Sequence, residues 1–350
     1  MSTRRCGRSR PGAWKSSPVG RSILANLELG GYDRGVAEVG RAIQVEITGA
    51  GVAPGRSLLV ADYDSSRWRG AERGLDVSFS VRRHSALEPQ PSTITIWGLS
   101  EQTRDTISRA VEEAREQAYL TATQARTGVV TVRAGRPGVR LVEICSDQIT
   151  DTPTHERDGA DWRTTIQAAD GRLPWAYGKV SETRSETVDP LEVARQQQIA
   201  LGVQAQQAGD FTLAEFAPDL VARGFTGYAG GLTMFGAFVD QNQAVLNALG
   251  LQARFSRGQV VWYRADEAEI QPALELVEGS TLLRLDPPAA YGYRRGRAML
   301  NPLIEVGRQI FVRRTSGQRL GPYRVDDVTY PGGPRESAWY ADFTLRPTSV

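Results

Sequence analysis

Hydrophobic and polar residues alternate with a period of two through most of the recognisable elements of this chain. In GLDVSFSVRR (74–83), Leu75, Val77, Phe79 and Val81 fall on one side and Asp76, Ser78, Ser80 and Arg82 on the other. This is the pattern of a strand with one buried face. AIQVEITG (42–49) and SLLVAD (57–62) read as shorter strands around a turn supplied by Gly51, Pro54 and Gly55. STITIWGLS (92–100) follows Pro89 and Pro91 as a further strand and leads directly into a change of period. Ile107, Ala110, Val111 and Ala114 recur at i, i+3, i+4 and i+7, with Ser100 placed to cap and Glu101 in the first turn. The spacing predicts a helix over 100–118. Strands resume at 128–134, 139–149 and 161–170 and close on Asp170–Gly171.

A polar, Gln-rich stretch then interrupts the alternation. Asp189 before Pro190 is a good start for a helix reaching about Leu201. A second helix is predicted over TMFGAFVDQNQAVLNALG (233–250), with Phe235, Phe238, Val239, Asn242, Leu246 and Leu249 on one stripe and Gly250 as its C′ residue. LQARFS and QVVWYRA flank Arg257–Gly258 as a hairpin. Strand-like runs follow at 281–286, 307–314, 321–330 and 337–347.

The layout is therefore a β-rich α+β chain in which strands with a packed helix occur twice. It divides into a basic arm over residues 1–36, a first β unit over 37–185 carrying the helix 100–118, a helical middle region over 186–250 and a second β unit over 251–350. At 350 residues, two units are expected from length alone.

Composition removes several functional classes. No apolar run approaches the ~18 residues a membrane span needs, and 42 Lys+Arg against 40 Asp+Glu give no global reason for nucleic-acid or membrane binding. The charge is local: Arg4, Arg5, Arg8, Arg10, Lys15 and Arg21 precede the first acid at Glu28. That start lacks the apolar segment of a signal peptide and reads as a flexible or partner-draped arm. Cys6 and Cys145 suggest neither a disulfide framework nor a zinc site, and point to a reducing compartment. His84 and His155, the only histidines, read as exposed loop residues and leave little for a metal cluster or a Ser-His-Asp arrangement.

The remaining candidates read better as architecture. Asp326 and Asp327 are adjacent on a strand, so they point to opposite faces and do not converge on one substrate atom. Glu112, Glu113 and Glu116 alternate with Arg109 and Arg115 on the solvated side of a helix. AGRPGVR (134–140) lacks the spacing of a phosphate-binding loop and leads into a strand, which makes it a hairpin turn. YGYRRGR (291–297) interleaves aromatic and basic residues as single-stranded nucleic-acid binders do. A strand edge guarded by arginines, or a subunit interface, explains it as well. Trp14, Trp68, Trp97, Trp162, Trp175, Trp262 and Trp339 are scattered and read as core or interface anchors. No catalytic, cofactor-binding or metal-binding residues are assigned, and no enzymatic activity or cofactor is expected.

The order of these segments resembles a known family. GLDVSFSVRR followed by STITIWGLSEQTRDTI is similar to the opening of bacteriophage tail baseplate-hub proteins, the late control protein D and VgrG-like hub family. Here Ser92 follows Pro91 where that family usually has Asn, and Gly98 stands before Leu99 in place of Asn. DWRTTIQAADG resembles the segment closing the family's first domain, and GGLTMFGAFVDQNQAVLNALGLQARFSRGQVVWYRADE its helix and following hairpin. The fullest match is AMLNPLIEVGRQIFVRRTSGQRLGPYRVDDVTYPGGPRESAWYADFTLRP, with Tyr330 where His is common and Gly332–Gly333 where Gly-Asp is common. The likeness runs from about residue 74 to 347.

The resemblance implies two tail-tube-like antiparallel β-barrel domains, each with a packed helix, joined by a helical linker. It implies a structural hub: a homotrimer of two domains per chain that adapts a six-fold tail tube to a central spike or tip. Its partners would be the tail tube or distal tail protein, the spike or tip protein, the tape measure protein, and genomic DNA passing through the lumen without sequence-specific binding. Its place would be the virion tail baseplate, assembled in the bacterial host cytoplasm. The alternatives are the hub of a type VI or extracellular contractile injection system, and a β-rich cell-wall active protein using carboxylates and exposed tryptophans.

Overall fold

The computed structural model describes residues 40–48, 57–67, 70–121, 128–172, 175, 179–184, 204–207, 232–248, 250–264, 268, 270–334 and 339–348. All belong to the second of two units, Val39–Val350. The predicted arm over 1–36 and the Asp189–Leu201 helix lie outside the described residues.

In chain order the strands are β1 (Ala42–Thr48), β2 (Ser57–Asp64), β3 (Val77–His84), β4 (Gln90–Trp97), β5 (Val129–Gly135), β6 (Val142–Ile149), β7 (Thr154–Asp158) and β8 (Asp161–Asp170). These are followed by β9 (Lys179–Arg184), β10 (Gln204–Gln207), β11 (Leu232–Ala237), β12 (Gln252–Ser256), β13 (Gln259–Tyr263), β14 (Ile270–Val277), β15 (Leu282–Leu285), β16 (Arg294–Met299), β17 (Arg308–Arg313), β18 (Arg319–Gly332) and β19 (Tyr340–Pro347). The helices are α1 (Gly70–Arg73), α2 (Glu101–Thr121) and α3 (Phe238–Ala248).

Most strands join one 14-stranded, mainly antiparallel sheet, whose main path runs β15-β16-β19-β18-β3-β4-β8-β6-β5-β1-β2. Strand β18 is the junction. Its first residues pair with β17, its middle with β19, and Asp327–Gly332 with His84–Phe79 of β3. A β-bulge at Asp326 lets one 14-residue strand change partners along its length. The close approach of β18 to β3 needs residues without side chains: a Cβ on Gly332 would enter the Phe79 ring at 2.4 Å, and one on Gly333 would meet the Ser78 Cβ at 2.8 Å. That approach also covers Ser78, which alternation had turned toward solvent. One contiguous apolar cluster runs from Ile43 in β1 to Leu345 in β19.

The path is open among the described residues, ending at β2 and at β15. The expected antiparallel sheets are present, while among the described residues the strand pairing does not close either set into the expected barrel. Closure requires the first and last strands of a set to meet, and here β18 leads instead from the second set into the first.

Helix α2 forms as the pattern predicts. The Thr103 N–H donates to Ser100 Oγ at 3.2 Å, and Ile107 and Val111 are buried. The second helix starts later than expected. Leu232–Ala237, which includes Phe235, pairs with β9 as a strand, and the helix begins at Phe238 with Asp240 in its first turn. Gly236 and Thr233 weaken helical propensity there, and cross-strand pairing prevails. Gly250, with φ 69°, ends α3; the Leu251 N–H donates to the Leu246 carbonyl at 2.9 Å. The Arg257–Gly258 turn joins β12 and β13 with both residues at positive φ, as predicted for a two-residue hairpin.

Candidate functional site

The sequence candidates separate into paired charges and turns. Asp327 faces outward to Arg82 at 3.0 Å. Asp326, the bulge residue, is buried, accepts a hydrogen bond from Arg324 and is ion-paired with Arg346 at 2.7 Å. Their divergence matches the expectation for adjacent strand residues. In YGYRRGR, Arg297 forms a two-pronged bond to Asp342 at 2.6 and 2.9 Å and stacks 3.8 Å from the Tyr340 ring. Arg294 donates to Tyr323 Oη and the Asp286 carbonyl. Two of the three arginines are thus engaged by partners within the chain, which leaves Arg295 and the almost fully exposed Tyr291 outward. Of residues 134–140, Ala134 and Gly135 end β5 and the rest lie in the β5–β6 turn, with Gly138 at φ 75°. Glu112 and Glu113 are exposed on α2; the side chain of Glu116 lies outside the described residues.

Neither histidine is a free loop residue. His155 lies in β7, its Nε2 2.9 Å from Ser108 Oγ of α2 and its Nδ1 3.0 Å from Thr164 Oγ1 of β8. Burial, then the nearby Arg104 charge, hold it below its ordinary pKa. His84 ends β3, where its backbone N–H and carbonyl are held by the Gln90 side chain at 2.7 and 2.9 Å. Of the tryptophans, Trp262 is buried in β13, and Trp339 packs edge-on to Phe79 at 6.3 Å with Arg41 over it. Trp162 lies 4.2 Å below the Arg104 guanidinium, and Trp97 Nε1 donates to Asp158 at 2.9 Å. Trp14 and Trp68 lie outside the described residues.

What sequence reading missed is a buried charged seam where β3, β4, β6 and β8 meet the β12–β13 hairpin. Arg83 donates to both oxygens of Asp147 at 2.7 and 2.8 Å, and Ser92 Oγ donates to the same carboxylate. Burial, the largest single influence, would depress the Arg83 guanidinium, but the Asp147 charge together with Cys145, the hydrogen bond to Asp147 and Asp170 raises the pKa above the ordinary value. At the end of β8, Asp170 Oδ1 accepts the Gly258 N–H at 2.8 Å. Burial first, then the Asp147 charge, push its carboxyl up to about 6. Cys145, beside them in β6, is pushed well up by the same burial. These partners are 64 and 88 residues apart in sequence, so no local pattern announces them.

The same hairpin reaches the second set of strands. Arg254 donates to the Val306 carbonyl at 2.9 Å, Tyr263 Oη donates to the Ser85 carbonyl, and the Tyr263 ring lies under Arg324. The turn-rich segment 301–306 is folded by Asn301, whose Oδ1 accepts the Leu303 N–H at 3.0 Å; Tyr330 Oη donates to the Ile304 carbonyl. The polar groups of this region are used as internal braces. Among the described residues, no group of three or more His, Cys, Asp or Glu is placed to hold a metal ion. No described helix is long and apolar enough to cross a membrane.

The outward features are the sheet ends. Strand β2 pairs only with β1 and exposes half of Leu59; β15, at the other end, exposes 56% of Leu283 at a register irregularity. An apolar residue on an open edge is a natural template for another chain.

No protein-family model matches the sequence, and no curated protein matches it. Solved structures do. The chain is similar to the 43 kDa tail protein of prophage MuSo2 from Shewanella oneidensis, with a TM-score of 0.53 at 7% identity, covering 88% of this chain and 98% of that one. It is similar to a tail protein from Neisseria meningitidis, with a TM-score of 0.51 at 8% identity over 87% of this chain and 96% of that one. It is also similar to the E. coli c3393 protein, a type VI secretion component described as resembling the T4 bacteriophage tail proteins gp27 and gp5. There the TM-score is 0.51 at 11% identity over 79% of this chain and 74% of the other. At these identities the likeness is one of fold.

Proposed function

We propose that this chain is a non-catalytic hub of a phage-like tail tip, whose copies close into a three-fold ring between a tail tube and a central spike. The observation that carries this reading is the fold shared with a prophage tail protein and a second tail protein over nearly the whole of both chains. In support stand the open edges at β2 and β15, the ends of the main path, each offering an outward leucine. In the proposed ring, the two sets of strands act as two tube-like barrel domains per chain, six per trimer, and neighbouring copies complete the barrels that the single chain leaves open. Such contacts are heterologous, each copy presenting different surfaces to its two neighbours. The internal bracing by Arg83, Arg324 and Asp326 gives the rigidity a conduit for DNA needs. The tube or distal tail protein, the spike or tip and the tape measure protein are its proposed partners, and the virion tail tip its proposed location. The likeness to the E. coli type VI component favours an injection-system hub as the second reading.

Light scattering of the purified chain across concentration, combined with electron microscopy of the particles formed, tests the proposal. Closed three-fold rings are expected. A monomer at every concentration that is also missing from tail particles rules the hub out, and release of cell-wall fragments by the chain rules out the non-catalytic reading.

A further inference from the structure

Asp170 is only 2% exposed at the point where the first set of strands meets the β12–β13 hairpin. Its Oδ1 accepts the Gly258 N–H of the hairpin turn at 2.8 Å, and the Arg257 backbone N–H also favours its ionised form. Its Oδ2 is buried without a hydrogen-bond partner. A carboxylate oxygen in that position is costly while charged, and a proton removes the cost.

The surrounding charges do not cancel it. From β6, Asp147 adds a second negative charge and Cys145 a neutral thiol; from β3, Arg83 supplies a positive one; from β4, Gln90 lies opposite. Arg83 is already committed to both oxygens of Asp147. The Arg257 side chain points to Glu305 at 3.5 Å. Two acids therefore share essentially one guanidinium. The hairpin is also locked to this point sterically, because a Cβ on Gly171 would lie 2.1 Å from the Phe255 ring. Beside Asp170, its neighbours Asp147, Cys145 and Arg257 line a cavity of about 60 Å³, large enough to hold water.

We propose that Asp170 is a proton-operated latch, which holds the β12–β13 hairpin more tightly against the end of β8 when it carries a proton than when it is ionised. The N–H bonds favour the ionised form, but burial and Asp147 outweigh them. An undocked hairpin would return Asp170 to water and to the ordinary value of 3.8, against about 6 when docked. Because the docked state binds the proton more tightly, docking strengthens as pH falls through that window. Linkage between those two values gives about a tenfold gain in the docking constant from about pH 7.5 to about pH 5.

The test is amide hydrogen exchange on the whole protein at these two pH values, corrected for intrinsic rates. Residues Gln252–Tyr263 should be about tenfold better protected at the lower pH, with β1 and β5 unchanged, and Asp170→Asn should remove the difference. A carbon-13 titration of the Asp170 carboxyl in the unaltered protein provides a second reading that needs no variant, with an expected midpoint near 6. Hairpin protection that does not change with pH, or a carboxyl midpoint below about 4.5, overturns the latch.

Discussion

The guanidinium of Arg324 is fully buried, 4.3 Å from the centre of the Tyr263 ring. Arg324 belongs to β18 and Tyr263 to β13, so this contact ties the small hairpin to the strand that joins the two sets. Asp326, hydrogen-bonded to Arg324 and ion-paired with Arg346, completes the cluster. Removing one partner of a buried pair leaves an uncompensated charge. Arg324→Ala should therefore cost about 3 kcal/mol, moderated by the retained Arg346–Asp326 ion pair. Tyr263→Leu, which loses the ring and the bond to Ser85, should cost about 1–3 kcal/mol. Urea unfolding of both single variants and the double variant gives their coupling; additive losses would show that the stacked contact contributes nothing.

Gly171 and Gly138 have nearly the same left-handed φ, 76° and 75°, in different surroundings. A Cβ at Gly138 meets nothing within 4 Å, whereas one at Gly171 enters the Phe255 ring. Gly138→Ala should lose only the backbone preference, about 1–2 kcal/mol. Gly171→Ala adds overpacking against a buried aromatic, for about 2–5 kcal/mol in all. Thermal unfolding of the two variants measures the difference, and equal losses would mean that Phe255 moves aside freely.

How much of this was legible depended on whether a residue's partner is local. Val77, Phe79 and Val81 announced β3 through their period, Ser100 announced α2 through its cap, and Arg257–Gly258 announced its hairpin. Strand β7, THERD, has no apolar alternation and exists because it pairs with β8. Likewise β14, interrupted by Pro272, is placed by parallel pairing with β17. Arg83, Asp147 and Arg324 drew no reading at all, since a sequence shows charge but not the distant partner that permits its burial. Asp326 and Asp327 do diverge as expected, although the bulge at Asp326, which sequence did not show, interrupts the alternation on which that expectation rested. The junction of β18 with β3 rests on Gly332–Gly333, a signal visible in sequence whose meaning depends on a contact some 250 positions away.

The two sheet ends give a prediction for assembly. If neighbouring copies meet there, Leu59→Lys on β2 or Leu283→Lys on β15 should abolish association, because a lysine on an open edge opposes strand addition. Both leucines are at least half exposed, so stability should change by less than about 0.5 kcal/mol. Sedimentation of each variant beside the unaltered chain decides it. Unaltered association in both variants places the contact elsewhere.

His155 gives a pH dependence of opposite sign to that of Asp170. Ser108 and Thr164 hold the ring between α2, β7 and β8, and burial followed by Arg104 lowers its folded pKa below the ordinary 6.5. The unfolded chain thus binds a proton near 6.5 that the folded chain resists. Stability from this residue is present above that value and is lost as pH falls toward the lower folded pKa. Asp170, whose folded pKa is raised, gains stability over the adjoining window as pH falls. The two trends partly cancel in the unaltered protein, so variants are needed to separate them. The stability advantage of the unaltered protein over His155→Gln should shrink from about pH 7 to about pH 5, while Asp170→Asn should show a steeper fall over the same range than the unaltered protein. Urea midpoints across that range measure both slopes. A His155→Gln difference that grows on acidification would mean that the imidazole is protonated in the folded state, with both ring nitrogens donating to Ser108 and Thr164.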